Sequence, residues 1–176
     1  MGPPFGLPRN GRTTVNSHAA IERTLADRPP SKVNWDNSPY LPVKSAGKNA
    51  VGDFGEELTK DYYESRGLIS EIINRGHDVL GGVEKTEVKT AFLGKQGGYW
   101  FNQIYYEDPD TGHRKDWDFL MFVFVSPTGI EMWKCPRLDN PEDHLGKNNG
   151  YHWKGSSPSK LDKSIWTKVW SEGSLT

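Results

Sequence analysis

Three charged residues near the middle of the chain could together form a site for metal-dependent chemistry. Glu87 and Lys89 are one residue apart in a segment typical of a β-strand. Side chains two apart in a strand point to the same face, about 6.5–7 Å from each other. Asp78 lies upstream, before a Gly81-Gly82 pair that favours a hairpin. The returning arm would bring Asp78 beside Glu87, so two carboxylates and one ammonium would meet at the edge of a sheet.

This combination of residue types is suited to phosphate chemistry. Carboxylate oxygens suit Mg²⁺, which polarises a phosphate and lowers the pKa of a bound water. A lysine beside them could orient that water or stabilise charge that develops on the phosphate. An acidic residue followed by any residue and a lysine occurs by chance, and a Glu/Lys pair on a solvated strand face is its usual explanation. Here the tripeptide lies between two apolar segments and follows both an aspartate and a helix, which favours a site.

The clearest element is a helix over residues 48–66. Apolar side chains recur in it at spacings of three and four, which predicts one buried stripe. The stripe consists of Val51, Phe54, Leu58 and Tyr62. Gly67 follows directly and predicts the end of the helix. Helical phase places Glu57 nearer the polar face than Glu56, so Glu56 is the better candidate for a functional acid.

The segments after this helix are typical of strands. They cover residues 68–74, 78–80, 83–92, 116–125 and 130–135. The run that ends at Val125 is continuously apolar, as expected of a central buried strand. Residues 139–160 have a loop-like composition, and the apolar spacing over residues 161–170 favours a helix. This order of elements predicts an α/β or α+β protein with one mixed sheet.

Charge and proline are distributed unevenly, although the net charge of the 176 residues is only −1. Residues 1–45 carry seven of the twelve prolines and six basic against three acidic residues, which predicts a Pro-rich, basic N-terminal arm before a single domain over 46–176. Residues 46–144 carry eleven basic and eighteen acidic residues, and residues 145–176 five and two. An acidic centre suits metal ligands, and basic flanks suit a polyanion.

The remaining composition bears on the compartment. One cysteine, Cys135, excludes an intrachain disulfide and a Cys-based zinc cluster. Neither a membrane span nor a signal peptide is visible. We therefore expect a cytoplasmic protein without a membrane partner.

Four segments, in order, resemble the PD-(D/E)xK nuclease superfamily over roughly residues 48–137. They are Gly52-Asp53-Phe54-Gly55-Glu56, then His77-Asp78-Val79-Leu80 with Thr86-Glu87-Val88-Lys89-Thr90, then Trp117-Asp118-Phe119-Leu120, and finally residues 130–137. Asp78 follows His77 where the superfamily often has a proline. The resemblance implies a restriction-endonuclease-like core, in which a central mixed β-sheet is flanked by helices.

The same resemblance implies a function and a role for each residue. The protein would be a Mg²⁺-dependent DNA endonuclease, with Mn²⁺ as a substitute metal, and would leave 5′-phosphate ends. Asp78 and Glu87 would be metal ligands, and Lys89 would be the lysine beside the water. Glu56 would hold a metal-bound water or assist a second metal. A type II restriction-like enzyme of this size would act as a homodimer, because cutting a duplex needs two sites.

Further polar residues are candidates for DNA contacts, and most of them lie in residues 138–176, a possible DNA-contact region after the core. They are Gln103, Lys147, Asn148, Asn149 and Lys154. Amides and lysines contact phosphates and base edges, whereas a surface loop is the simpler interpretation. Three alternatives to restriction-like cleavage stay open: a structure-specific repair or junction nuclease, a non-catalytic nucleic-acid-binding module, and an unrelated α/β protein with a chance tripeptide.

Overall fold

The computed structural model describes residues 31–172, except for the side chains of residues 74 and 75. This part of the chain forms two α-helices, nine β-strands and two short 3₁₀ turns, Pro141–Asp143 and Pro158–Lys160. The helices are α1 (Leu41–Ala46) and α2 (Lys48–Ser65). The strands are β1 (Ser70–Arg75), β2 (His77–Gly81), β3 (Glu84–Phe92), β4 (Tyr99–Ile104), β5 (Phe119–Ser126), β6 (Gly129–Pro136), β7 (Gly146–Asn148), β8 (Gly150–Gly155) and β9 (Thr167–Ser171). Neither helix is long and apolar enough to cross a membrane.

The main sheet is mixed, as the sequence predicts. Its strand order is β1-β2-β3-β5-β6-β9. Strands β3 and β5 run parallel, with Thr86 beside Phe119 and Phe92 beside Val125, and the other neighbouring strands are antiparallel. The apolar strand β5 is buried over six consecutive residues in the middle of this sheet. Two faces covered by protein require apolar side chains of both parities, which explains its unbroken apolar sequence.

Helix α2 covers one face of the main sheet and ends where the sequence predicts. Gly67 has a φ of +75° and donates its N–H to the Glu64 carbonyl at 2.9 Å. The predicted apolar stripe is only partly right, because Phe54 and Leu58 are half-buried. The fully buried positions are Gly55, Thr59, Tyr62 and Tyr63. At Gly55 the helix backbone approaches the sheet so closely that an added Cβ would overlap Thr90 Oγ1.

The opposite face of the main sheet is covered by a second sheet and not by helices, within the residues described. This small antiparallel sheet has the order β4-β8-β7. Its inner face packs aromatic rings onto the main sheet, where Phe101 stacks on Phe122 with 4.0 Å between ring centroids. Trp166, in the segment before β9, stacks on the same Phe122 ring at 4.4 Å. The resemblance therefore predicted the central mixed sheet correctly. It predicted helices on this second face, where the structure has a sheet.

Two further predictions are wrong for the same physical reason. The predicted loop over 139–160 contains β7 and β8, and the predicted helix over 161–170 ends in strand β9. Strand β9 pairs with β6, and the buried Trp166 precedes it in a turn. Pairing with a distant strand supplies the backbone hydrogen bonds there and overrides the local spacing of apolar residues.

Only the end of the predicted N-terminal arm lies within the described residues. Trp35 is buried, and its ring centroid lies 5.5 Å from that of Phe92 in β3. From Ser31 onwards the chain thus packs as part of the same unit as the sheets. The predicted division at residue 45 stays a prediction, and the arm's earlier residues lie outside the description.

Candidate active site

The β2–β3 hairpin places Asp78 next to the strand segment that carries Glu87 and Lys89. The two strands pair antiparallel, with Val79 beside Thr86, and the turn uses Gly82 with a φ of +62°. An Asp78 carboxylate oxygen accepts a hydrogen bond from the Val88 N–H at 2.8 Å. This bond fixes the carboxylate across the hairpin, so the structure brings Asp78, Glu87 and Lys89 together as hairpin geometry predicts.

Glu87 is the most deeply buried charge of the site. Its side chain has no exposed surface, and two lysines hold it. Lys89 Nζ lies 2.8 Å from one carboxylate oxygen, and Lys115 Nζ lies 2.9 Å from both. Burying a carboxylate without such partners costs roughly several kcal/mol, and the two ammonium groups offset this cost for the Glu87 side chain.

Lys115 is a site residue that the sequence analysis missed. It lies 28 residues after Glu87, in the loop before β5. Arg137 holds this loop: its guanidinium donates to the carbonyls of Lys115 and Trp117 at 2.9 and 3.2 Å and lies 4.2 Å from the Trp117 ring centroid. The parallel pairing of β3 with β5 brings this loop beside Glu87. Only knowledge of that pairing could have identified Lys115.

Helix α2 adds Glu56 to the same group of charges. Burial and then the neighbouring Asp78 and Asp53 raise the pKa of Glu56. Burial and then Glu87 raise the pKa of Asp78, against the opposing effect of Lys89. Burial acts to lower the pKa of Lys89, but the surrounding carboxylates outweigh it and raise it. In all three groups the neighbouring carboxylates act to raise the pKa, as expected where negative charges lie close together.

Two of the three carboxylates of the site have oxygens that suit a hard divalent cation. Asp78 and Glu56 supply carboxylate oxygens that repel each other and that a cation would neutralise. Both oxygens of Glu87, in contrast, already accept from lysines. Residues 31–172 contain no group of three or more His, Cys, Asp or Glu side chains arranged to hold a metal. The three predicted metal ligands thus stay a prediction.

Asp78, Glu56 and Lys89 line an open cleft of about 850 Å³. Glu87 lies behind this lining, fully buried. Four further lysines line the cleft: Lys44, Lys48, Lys95 and Lys154. The alternative acid Glu57 is exposed and does not line it. The cleft therefore combines an acidic centre with basic surroundings.

Most of the predicted DNA-contact residues lie beside this cleft. Four of the five, namely Gln103, Asn148, Asn149 and Lys154, line an adjoining pocket of about 340 Å³. Lys147 does not belong to it, because it points to the opposite side of β7, with its Nζ 5.3 Å from the Tyr151 ring centroid. Gln103 and Lys154 line both the pocket and the cleft.

Comparison with known proteins gives one structural similarity. No family model matches the chain, and no curated protein matches it. A solved structure of a bacterial homing endonuclease aligns with a TM-score of 0.45 and 13% sequence identity, over 66% of this chain and 83% of that one. A TM-score below 0.5 does not establish a shared fold. The fold class and the function therefore rest on the residues described above.

Proposed function

We propose that this protein is a metal-dependent DNA endonuclease that hydrolyses phosphodiester bonds, with Mg²⁺ as its metal and Mn²⁺ as a substitute. The observation that carries the proposal is the charge arrangement of one cleft. Asp78, Glu56 and Lys89 line it together with four other lysines, and the buried Glu87 lies directly behind.

The basic lining supports a polyanionic substrate. Lysines that line a cleft attract phosphates and raise the rate of association. The carboxylates at the centre would repel the same phosphates unless a cation neutralised them. Lysines that attract phosphates, around carboxylates that repel them, fit a phosphodiester substrate that binds together with a metal ion.

The residues of the site would have two roles: some bind the metal ion, and others position the attacking water. Asp78 and Glu56 would hold the metal, which when bound polarises a phosphate and lowers the pKa of a water. Glu87 behind them would hold the two lysines in place. The Lys89 ammonium, fixed 2.8 Å from Glu87, orients the attacking water or stabilises negative charge on the phosphate. Lys115 keeps the Glu87 carboxylate in place through contacts to both of its oxygens.

The buried charges also bear on the non-catalytic alternative. Carboxylates that raise each other's pKa lower the stability of the folded protein. A module that only binds nucleic acid has no need of such a cluster, since exposed lysines suffice for binding. Within the nuclease proposal, both restriction-like cleavage by a homodimer and structure-specific cleavage are consistent with the cleft.

The test is cleavage of mixed plasmid and phage DNA, of a DNA junction and of a single strand by the purified protein, with Mg²⁺ or with EDTA. Lys89→Ala is compared with Lys85→Ala, a matched change in the same strand, where Lys85 pairs with the exposed Asp116. We expect Mg²⁺-dependent products that are lost in Lys89→Ala and kept in Lys85→Ala. Discrete fragments indicate restriction-like cleavage, and cutting only of junctions or single strands indicates structure-specific cleavage. No cutting of any DNA, together with no metal binding by calorimetry, would show that the proposal is wrong.

A further inference from the structure

The outer face of the small sheet carries an exposed tryptophan beside the cleft. Strand β4 alternates, so that Tyr99, Phe101 and Ile104 are buried while Trp100 and Asn102 face solvent. Trp100 is 59% exposed. A single exposed aromatic side chain is common on protein surfaces, so the groups around Trp100 decide whether it marks a binding site.

Basic and amide groups surround Trp100. Lys154 is its partner across β4 and β8, with Nζ 5.2 Å from the ring centroid. The residues around this ring line the 340 Å³ pocket, and we call them the Trp100 face: Trp100, Asn102, Gln103, Asn148, Asn149, His152 and Lys154. Four of these seven are amides, and neither Asp nor Glu is among them. This composition complements the negative charge and the hydrogen-bonding edges of a nucleotide.

The backbone at Gln103 has an unusual conformation, which bears on how this side chain is placed at the pocket. Gln103 has a φ of +55°, the only positive φ of a non-glycine residue among the residues described. It lies where the pairing of β4 with β8 shifts register between Phe101 and Ile104. Such a bulge redirects a side chain at the expense of regular pairing. It places Gln103 in the lining of both the pocket and the cleft.

Resting on the proposed nuclease function, we propose that the Trp100 face binds an unpaired nucleotide of the DNA substrate, whose base stacks on Trp100. Aromatic side chains stack on bases that are free of the duplex, and amides read their exposed edges. Bases inside an intact duplex are stacked on their neighbours, so Trp100 could not reach their faces. The substrate class is DNA with a single-stranded or extrahelical nucleotide next to the scissile phosphate.

The face and the active site are positioned to hold one strand. Trp100, Asn102, Gln103 and Lys154 line both the pocket and the cleft that contains Asp78. A strand whose base rests on Trp100 passes Lys154 with its phosphate and continues directly into the cleft. Recognition of an unpaired base therefore selects which phosphodiester meets the carboxylates.

The test measures binding in EDTA, where no cutting occurs, by fluorescence anisotropy of three labelled DNAs. They are a single strand, a perfect duplex, and the same duplex with one extrahelical thymidine. Trp100→Leu removes the aromatic face and keeps an apolar side chain, whereas Trp100→Phe keeps an aromatic face. Ile69→Ala, a change at a site that is 91% exposed on the β1 side, is the distant control.

We expect Trp100→Leu to weaken binding of the two DNAs with an unpaired base by about 5- to 100-fold, in line with the loss of one stacked base. Binding of the perfect duplex should change less than about twofold, and Trp100→Phe should retain most of the affinity. Equal losses on all three DNAs, no loss on any, or a wild-type protein that binds none of them would overturn the inference.

A second measurement needs no variant. Irradiation of the wild-type protein with 5-iododeoxyuridine at the extrahelical position should crosslink that base to Trp100, and a crosslink to any other residue would contradict stacking there. Cleavage with Mg²⁺ is scored separately. Selective binding without any cleavage would reject the nuclease proposal and keep this inference, whereas cleavage with no preference for unpaired bases would do the reverse.

Discussion

Two hairpins of this protein, β2–β3 and β7–β8, have similar turns but differ in the burial of their polar residues. Each turns at a glycine with a positive φ, Gly82 at +62° and Gly150 at +82°. The first hairpin lies within the six-stranded sheet and buries Glu87 completely. The second hairpin forms the edge of the small sheet, and all three residues of β7 are exposed.

Under the proposed function, this difference separates the residues of catalysis from the residues that bind the substrate. The charged residues that we propose for catalysis lie inside the main sheet. Each buried charge there needs a partner of opposite charge, and losing that partner lowers the stability of the folded protein. The polar groups that we propose to contact DNA lie on the exposed small sheet, where water solvates them at little cost. If this division is right, variants in the first hairpin change rate and stability, and variants in the second change affinity alone.

Asp78→Asn should show the largest effect, a fall in Mg²⁺-dependent cleavage of roughly 10³-fold, because under the proposed function Asp78 would be a ligand of the metal. The same change should raise the Tm. The folded protein raises the pKa of Asp78, so at neutral pH the ionised carboxylate disfavours folding, and asparagine removes that charge.

The gain in Tm should shrink as the pH falls towards the raised pKa values, because wild-type Asp78 and Glu56 then take up protons themselves. Calorimetric scans at several pH values measure this gain, and single-turnover cleavage measures the rate. Asn148→Ala in the second hairpin is the control and should leave both the rate at saturating DNA and the Tm unchanged. A lower Tm for Asp78→Asn at neutral pH would contradict the account of repelling carboxylates.

Glu87→Ala should be the most destabilising change, by about 3 kcal/mol, because it leaves two partly buried ammonium groups without their acceptor. Lys147→Ala on the exposed hairpin should change the free energy of unfolding by less than about 0.5 kcal/mol. Urea unfolding followed by circular dichroism compares the two. Similar losses in both variants would mean that the hairpins do not differ in the way described.

Gly55→Ala tests how closely α2 must approach β3 to place Glu56. An added Cβ would lie 1.7 Å from Thr90 Oγ1, so we expect a loss of about 1–3 kcal/mol and slower cleavage. Gly52→Ala in the same helix meets nothing within 4 Å and should instead stabilise by about 0.5–1 kcal/mol. Adding Thr90→Ala to Gly55→Ala should recover part of the loss. Equal effects of the two glycine substitutions would rule out the close approach as the cause.

Lys154→Gln should give the smallest change, a reduction of about one in the slope of log affinity against log salt, as expected for the loss of one phosphate contact. Anisotropy titrations of a single-stranded DNA between low and moderate salt measure it. Lys168→Gln in β9, a strand at the far edge of the main sheet, is the matched control and should leave the slope unchanged. The same slope in Lys154→Gln and wild type would remove Lys154 from the binding surface.

Local features of the fold were predictable because they depend on neighbouring residues. The end of α2 follows from the conformational freedom of Gly67, and the β2–β3 hairpin follows from a glycine pair between two strand-like segments. The convergence of Asp78, Glu87 and Lys89 needs only that hairpin. The second covering layer was missed because β4 and β8 pair across about fifty residues of sequence, and because β7 and β8 have mixed polar and aromatic residues that resemble a loop.

The sequence by itself determined the chemical types at the site, the strand that carries two of them and the helix that carries Glu56, because residue spacing and turn residues encode these directly. Tertiary structure alone decided that Lys115 reaches Glu87, that α2 approaches β3 at Gly55, and that Trp100 faces solvent beside the cleft. These depend on the parallel pairing of β3 with β5 and on the packing of two sheets. Contacts between residues far apart in the chain follow from how surfaces fit, and no local pattern specifies that fit.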